Sequence, residues 1–123
     1  MAGNTVLLVD SHEDSRAIYA LILRHHGFAV VLAPLWEEGR RLARVRVPDV
    51  IVLELPPRYP PAWEAPRELG AHPATARIPL LALGTGHAAG DRDRALAAGF
   101  AEYLLKPLPP LQLLAQVRRV LGG

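Results

Sequence analysis

Cysteine is absent from the 123-residue sequence, which excludes a disulfide framework and any thiolate metal site. Lysine is almost absent: Lys106 stands alone among 14 basic side chains, the others being arginine. No apolar run approaches the roughly 20 residues that a membrane-spanning helix needs. Met1 to Asp10 carries no positive charge and reaches an acid at once, unlike a secretory leader. These absences together predict a cytoplasmic chain with no membrane contact. A strong charge imbalance is missing too, since 14 basic and 12 acidic residues leave a net +2. The densest basic group, Arg40, Arg41, Arg44 and Arg46, fits either a solvated helix face or a contact with an acidic partner or nucleic acid. The solvated face is the plainer reading, and no direct nucleic-acid partner is expected.

Half the residues are hydrophobic and 21% are charged, so the chain can bury a core and fills the size of one domain. One domain is expected over residues 1–123, with no output domain after the last helix. Short apolar runs alternate with helical patterns. Thr5–Val9, Phe28–Leu32, Asp49–Leu55, Pro79–Leu83 and Ala101–Leu105 read as strands. A first helix is expected with Asp14 or Ser15 as its cap and Gly27 as its stop. Further helices are expected over Trp36–Arg46, Ala62–Leu69 (bent or weakened by Pro66), Asp91–Ala98 and Leu111–Leu121. Strands apolar on both faces, joined by helical crossovers, imply a parallel sheet covered on both sides. Right-handed crossovers then favour an α/β doubly wound sheet of five strands in the order 2-1-3-4-5, with five helices.

In such a sheet the site lies at the carboxyl ends of the central strands. Those ends carry Asp10 and Ser11, then Glu54, then Gly84 and Thr85, then Lys106 and Pro107. Two carboxylates and an ammonium converging from three strands are costly to bury unpaired, so a charge cluster at a wet rim is expected. Each residue alone would merely end a strand.

The segments that meet there resemble a known family. Val6-Leu-Leu-Val-Asp-Ser-His-Glu-Asp-Ser-Arg16 is similar to the first strand and turn of two-component response-regulator receiver domains. Pro48-Asp-Val-Ile-Val-Leu-Glu54 resembles the strand that delivers their phospho-acceptor aspartate. Ile78-Pro-Leu-Leu-Ala-Leu-Gly84 resembles the strand ending in their switch hydroxyl. Asp91 to Gly99, followed by Tyr103-Leu-Leu-Lys-Pro107, resembles the segment carrying their lysine and aromatic. The resemblance runs nearly the whole chain and implies the flavodoxin-like, CheY-like fold. It also implies Mg²⁺ held by acidic residues, a phosphoryl group received from a histidine kinase, and downstream effectors as partners. The surface of the fourth helix, fifth strand and fifth helix would serve for targets or a homodimer.

The departures fall on the chemistry. Asp10 matches the first acid, but Ser11 stands where the second belongs. Glu54 occupies the acceptor position, and Gly84 replaces the switch hydroxyl. Arg58 and Ala62 replace a usual proline and glycine, while Tyr103, Lys106 and Pro107 match. A hard cation demands near-ideal oxygen geometry, so no cofactor is expected, with Asp10 and Glu54 the weak metal candidates. The extra methylene of Glu54 shifts its oxygens by about 1 Å, and a displacement of that size can cost about 10²-fold in reactivity. Phosphoryl transfer depends on position and charge neutralisation, so it should nearly vanish. Glu54 is also a poor imitation of the product, which carries about −2 charge and three acceptor oxygens. Thr85 comes one residue late and by alternation should face away.

The expected function is an atypical pseudo-receiver that acts by protein contact in two-component signalling and is not an enzyme. Two alternatives stay open: a conventional phospho-accepting regulator, and a small-ligand or nucleotide module using the same rim and the Gly84–Gly90 loop. Weaker signals have plainer readings. His12, near the site, could modulate it by protonation, but a surface turn residue is the plainer reading. His25 and His26 read as a helix-end pair rather than a metal site. Trp36 and Trp63 begin helices and serve equally as packing anchors or partner contacts.

Overall fold

Side chains alternate across a strand, and that rule divides the core in two. The computed structural model describes residues 4–85 and 89–122. Its strands are β1 (Thr5–Val9), β2 (Ala29–Ala33), β3 (Val50–Leu55), β4 (Leu80–Gly84) and β5 (Glu102–Leu105). All neighbours pair in parallel, in the order β2-β1-β3-β4-β5. Leu7, Val9, Ile51, Leu53 and Ala82 point to one face, and Val6, Leu8, Val50, Val52, Leu81 and Leu83 to the other. Every residue of β3 is buried, which explains why all but Glu54 are apolar.

The helices are α1 (Glu13–His25), α2 (Trp36–Arg46), α3 (Pro60–Trp63), α4 (Ala65–Gly70), α5 (Asp91–Ala98) and α6 (Pro110–Val120). Tyr19, Ala20 and Leu23 of α1, with Leu113, Leu114 and Val117 of α6, cover the even-numbered face of β1 and β3. Residues of α2 to α5, led by Trp36, Trp63, Leu69 and Ala95, cover the opposite face. Burying each large aliphatic side chain is worth about 1.5–3 kcal/mol. Among the described residues no helix is long and apolar enough to cross a membrane.

Six helices, not five, lie among the described residues, because the expected Ala62–Leu69 helix is two. Pro66 has no N–H to bond back to Ala62, so the chain cannot run one helix through it. Instead Glu64 stands between them at φ −90°, ψ 0°, and Pro66 falls in the first turn of α4. Trp63 therefore ends a helix rather than beginning one. α1 also starts before the expected caps: His12 is its N-cap residue and neither Asp14 nor Ser15 caps it. The cause is Asp10, whose Oδ1 accepts the His12 N–H at 2.9 Å and closes the turn early. Gly99 ends α5 at φ 114°, where a Cβ would be strained.

Both tryptophans are anchors. Trp36 is 1% exposed and donates Nε1–H to Glu68 Oε1 at 3.1 Å; Trp63 donates to the Pro56 carbonyl at 3.0 Å. Three of the four clustered arginines of α2 pair within the chain: Arg40 and Arg44 with Glu68, at 2.5 and 3.6 Å, and Arg41 with Glu38 at 3.8 Å. That arrangement fits a solvated helix face.

Candidate functional site

The parity that divides the core also builds the site. Asp10 continues the Val6, Leu8 row beyond β1, and Glu54 continues the Val50, Val52 row of β3. Lys106 follows β5, whose Leu104 packs against the same core. Three charged side chains thus meet above one face of the sheet. Asp10 is 0% and Glu54 4% exposed, and the Lys106 side chain 14%. The expected wet rim is instead a nearly closed ion cluster.

Full pairing makes that burial tolerable. Lys106 Nζ lies 2.9 Å from Asp10 Oδ2 and 3.5 Å from Glu54 Oε2. Ser11 donates twice to Glu54 Oε1, from its N–H at 3.1 Å and its hydroxyl at 2.6 Å. His12 Nδ1 stands 2.8 Å from Glu54 Oε2. Arg16 adds a bond to the Asp10 carbonyl at 2.8 Å. Burial alone would raise the Glu54 carboxyl, but the two Ser11 bonds, the Lys106 charge and His12 together bring it below its ordinary value. Glu54 is thus a carboxylate with both oxygens engaged.

His12 is the residue that sequence reasoning undervalued. Its side chain is 62% exposed, as a turn residue should be, yet its ring closes over Glu54. The visible signal was its place two residues after Asp10, where a carboxylate can capture the backbone N–H. Thr85 also departs from expectation. Residues 81, 83 and 85 share the face of the ion cluster, and Thr85 lines an open cleft of about 470 Å³ with His12, Ser15, Ile18, Tyr19 and Lys106. Gly84 turns instead toward the α5 side, where Tyr103 is buried. Pro107 follows Lys106 on the rim of the cleft. Of the Gly84–Gly90 loop, residues 86–88 lie outside the described residues. His25 and His26 sit at the end of α1, edge to face at 5.2 Å.

No family model matches the chain. Among curated proteins it is 28% identical to protein PilH of Pseudomonas aeruginosa over 96% of this chain and 98% of that one. It is 33% identical to the transcriptional regulatory protein CreB of Escherichia coli, spanning 98% of this chain but only 52% of CreB. The crystal structure of a response regulator from Desulfuromonas acetoxidans superposes with a TM-score of 0.83 at 26% identity, covering 96% of each chain. The chain resembles response-regulator receiver domains in sequence over nearly its whole length and shares their fold. The fold and strand order expected from the sequence are those of the structure.

For a receiver domain the site should hold Mg²⁺, and its donor set can be tested. Asp10, His12 and Glu54 each offer a ligand atom, all within 4.8 Å of one another. A hard divalent cation, however, wants several oxygens in regular geometry. Here the Lys106 ammonium lies within reach of both carboxylates, Ser11 replaces one acid with a neutral donor, and a histidine nitrogen completes the set. These residues do not fit Mg²⁺. They satisfy one another.

Proposed function

We propose that this receiver domain acts in two-component signalling by protein contact alone, without accepting a phosphoryl group and without catalysis of its own. The engagement of Glu54 carries the proposal. An acceptor must present a free lone pair in line with the incoming phosphorus. Both Glu54 oxygens instead accept bonds from Ser11, His12 and Lys106 within 2.6–3.5 Å. Attack would break several charge-assisted bonds in a buried site, with no Mg²⁺-competent donor set to offset the charge. The partner is a histidine kinase or a downstream effector, and the α5–β5–α6 face is the surface for it or for a second copy.

The test is a titration with Mg²⁺ and beryllofluoride, followed by amide chemical shifts. The amides of Glu54, Gly84 and Lys106 should stay in place. Saturable shifts there, or a phosphorylated Glu54 after incubation with a kinase, would overturn the proposal.

A further inference from the structure

Gly84 lies in β4 without the positive φ that calls for glycine elsewhere in the chain. Backbone conformation gives no reason for it. Space does. A Cβ at position 84 would collide with the hydroxyl oxygen and Cζ of Tyr103, and would stand 2.8 Å from Cε2. Real side chains do not approach so closely, so a side chain at 84 would displace the Tyr103 ring from the place it occupies.

The register explains how the ring gets there. Tyr103 pairs with Ala82 across β4 and β5, two residues before Gly84, and β-strand side chains lean along the strand. The ring lies over β4 and ends on Gly84. It is 9% exposed and belongs to the core cluster that includes Ala82, Ala95 and Phe100. Turning it outward would leave a void beside a glycine that cannot fill it.

We infer that Gly84 is the socket of Tyr103, holding the tyrosine permanently inward so that the α5–β5 face keeps one shape whatever occurs at the Asp10–Glu54–Lys106 cluster. The two sides are separated by strand parity: Thr85 faces the cluster's cleft, whereas Gly84 faces α5. The lock goes beyond the proposed function, because it would hold whether or not Glu54 accepts a phosphoryl group.

The test uses the full chain labelled with 3-fluorotyrosine, in which Tyr103→Phe assigns one resonance of the three tyrosines. In the native chain the Tyr103 signal should resist broadening by a soluble gadolinium chelate. It should also ignore Mg²⁺ with beryllofluoride. Gly84→Ala should shift the signal and make it several-fold more sensitive to the chelate. Urea titrations complete a cycle with Tyr103→Ala. There, Gly84→Ala should perturb the folding equilibrium about tenfold less than it does beside tyrosine. If Gly84→Ala does not fold, it should fold once Tyr103→Ala is added. A Tyr103 signal equally protected with alanine at 84, an equal penalty in both backgrounds, or a ring that moves with beryllofluoride overturns the lock. Amide shifts at Glu54 with an unmoved ring would overturn the proposed function and leave the lock standing.

Discussion

Replacing Lys106 with methionine isolates the electrostatics of the buried cluster. Methionine keeps most of the aliphatic stem, so packing changes little. What disappears is the ammonium 2.9 Å from Asp10 and 3.5 Å from Glu54, leaving two carboxylates that are 0% and 4% exposed. Breaking a buried ion pair from one side costs about 3–5 kcal/mol. Here the carboxylates keep their bonds from Ser11 and from His12, so the low end, about 3 kcal/mol, is expected. Against a typical stability of about 5–15 kcal/mol the variant should still fold, and its urea midpoint should fall by about 1–2 M. The loss should shrink as the pH is lowered, because without the ammonium burial and like charge both favour the protonated carboxyl. Adding Glu54→Gln should recover about 1–2 kcal/mol by removing one of the two like charges. A loss below about 1 kcal/mol, the worth of an exposed pair, would show that the cluster is solvated after all. A pH-independent loss would refute the reasoning in the same way.

Other perturbations bear on the same argument. Glu54 has a folded pKa depressed below the ordinary 4.5, so its stabilisation is fully present above that value and is lost as the pH falls through the lower folded one. Urea midpoints measured down an acid series should therefore drop more steeply for the native chain than for Glu54→Gln. Ser11→Asp would place a third carboxylate against Glu54 Oε1, now 2.6 Å from the Ser11 hydroxyl. It should cost about 1–3 kcal/mol by denaturant titration, most of it recovered by adding Glu54→Gln. Trp36→Ala should cost about 3–5 kcal/mol in the same assay, since it empties a fully buried site and strands Glu68 Oε1.

The fold was legible because its determinants are local and repeated. Val50 to Leu55 is apolar at nearly every position, which only a doubly covered strand explains, and the ends of α2 and α5 at Arg46 and Ala98 follow from Pro48 and Gly99. What was not legible depends on pairwise distances. Pro66 signalled a weak helix, but whether it bends one or makes two turns on where the Ala62 carbonyl would have to bond. Thr85 was misplaced because the parity of β4 has meaning only once its register against β3 is known. His12 looks like any exposed turn residue until the Asp10 carboxylate captures its N–H and swings the ring over Glu54.

The same distinction governs the departures at the site. Read singly, Ser11, Glu54 and Gly84 are three departures from the usual receiver pattern. In space they are two matched pairs. A longer acid at 54 reaches position 11, where a second carboxylate would repel it and a serine can donate to it twice. A bare position at 84 is what the ring of Tyr103 requires to lie flat against β4. On the proposed function, each departure gives up part of the receiver chemistry and supplies the complement of its neighbour, so changing any one alone to the usual residue should be destabilising rather than restorative. That coupling is what a chain held in one conformation should show, and scattered decay of an unused site should not.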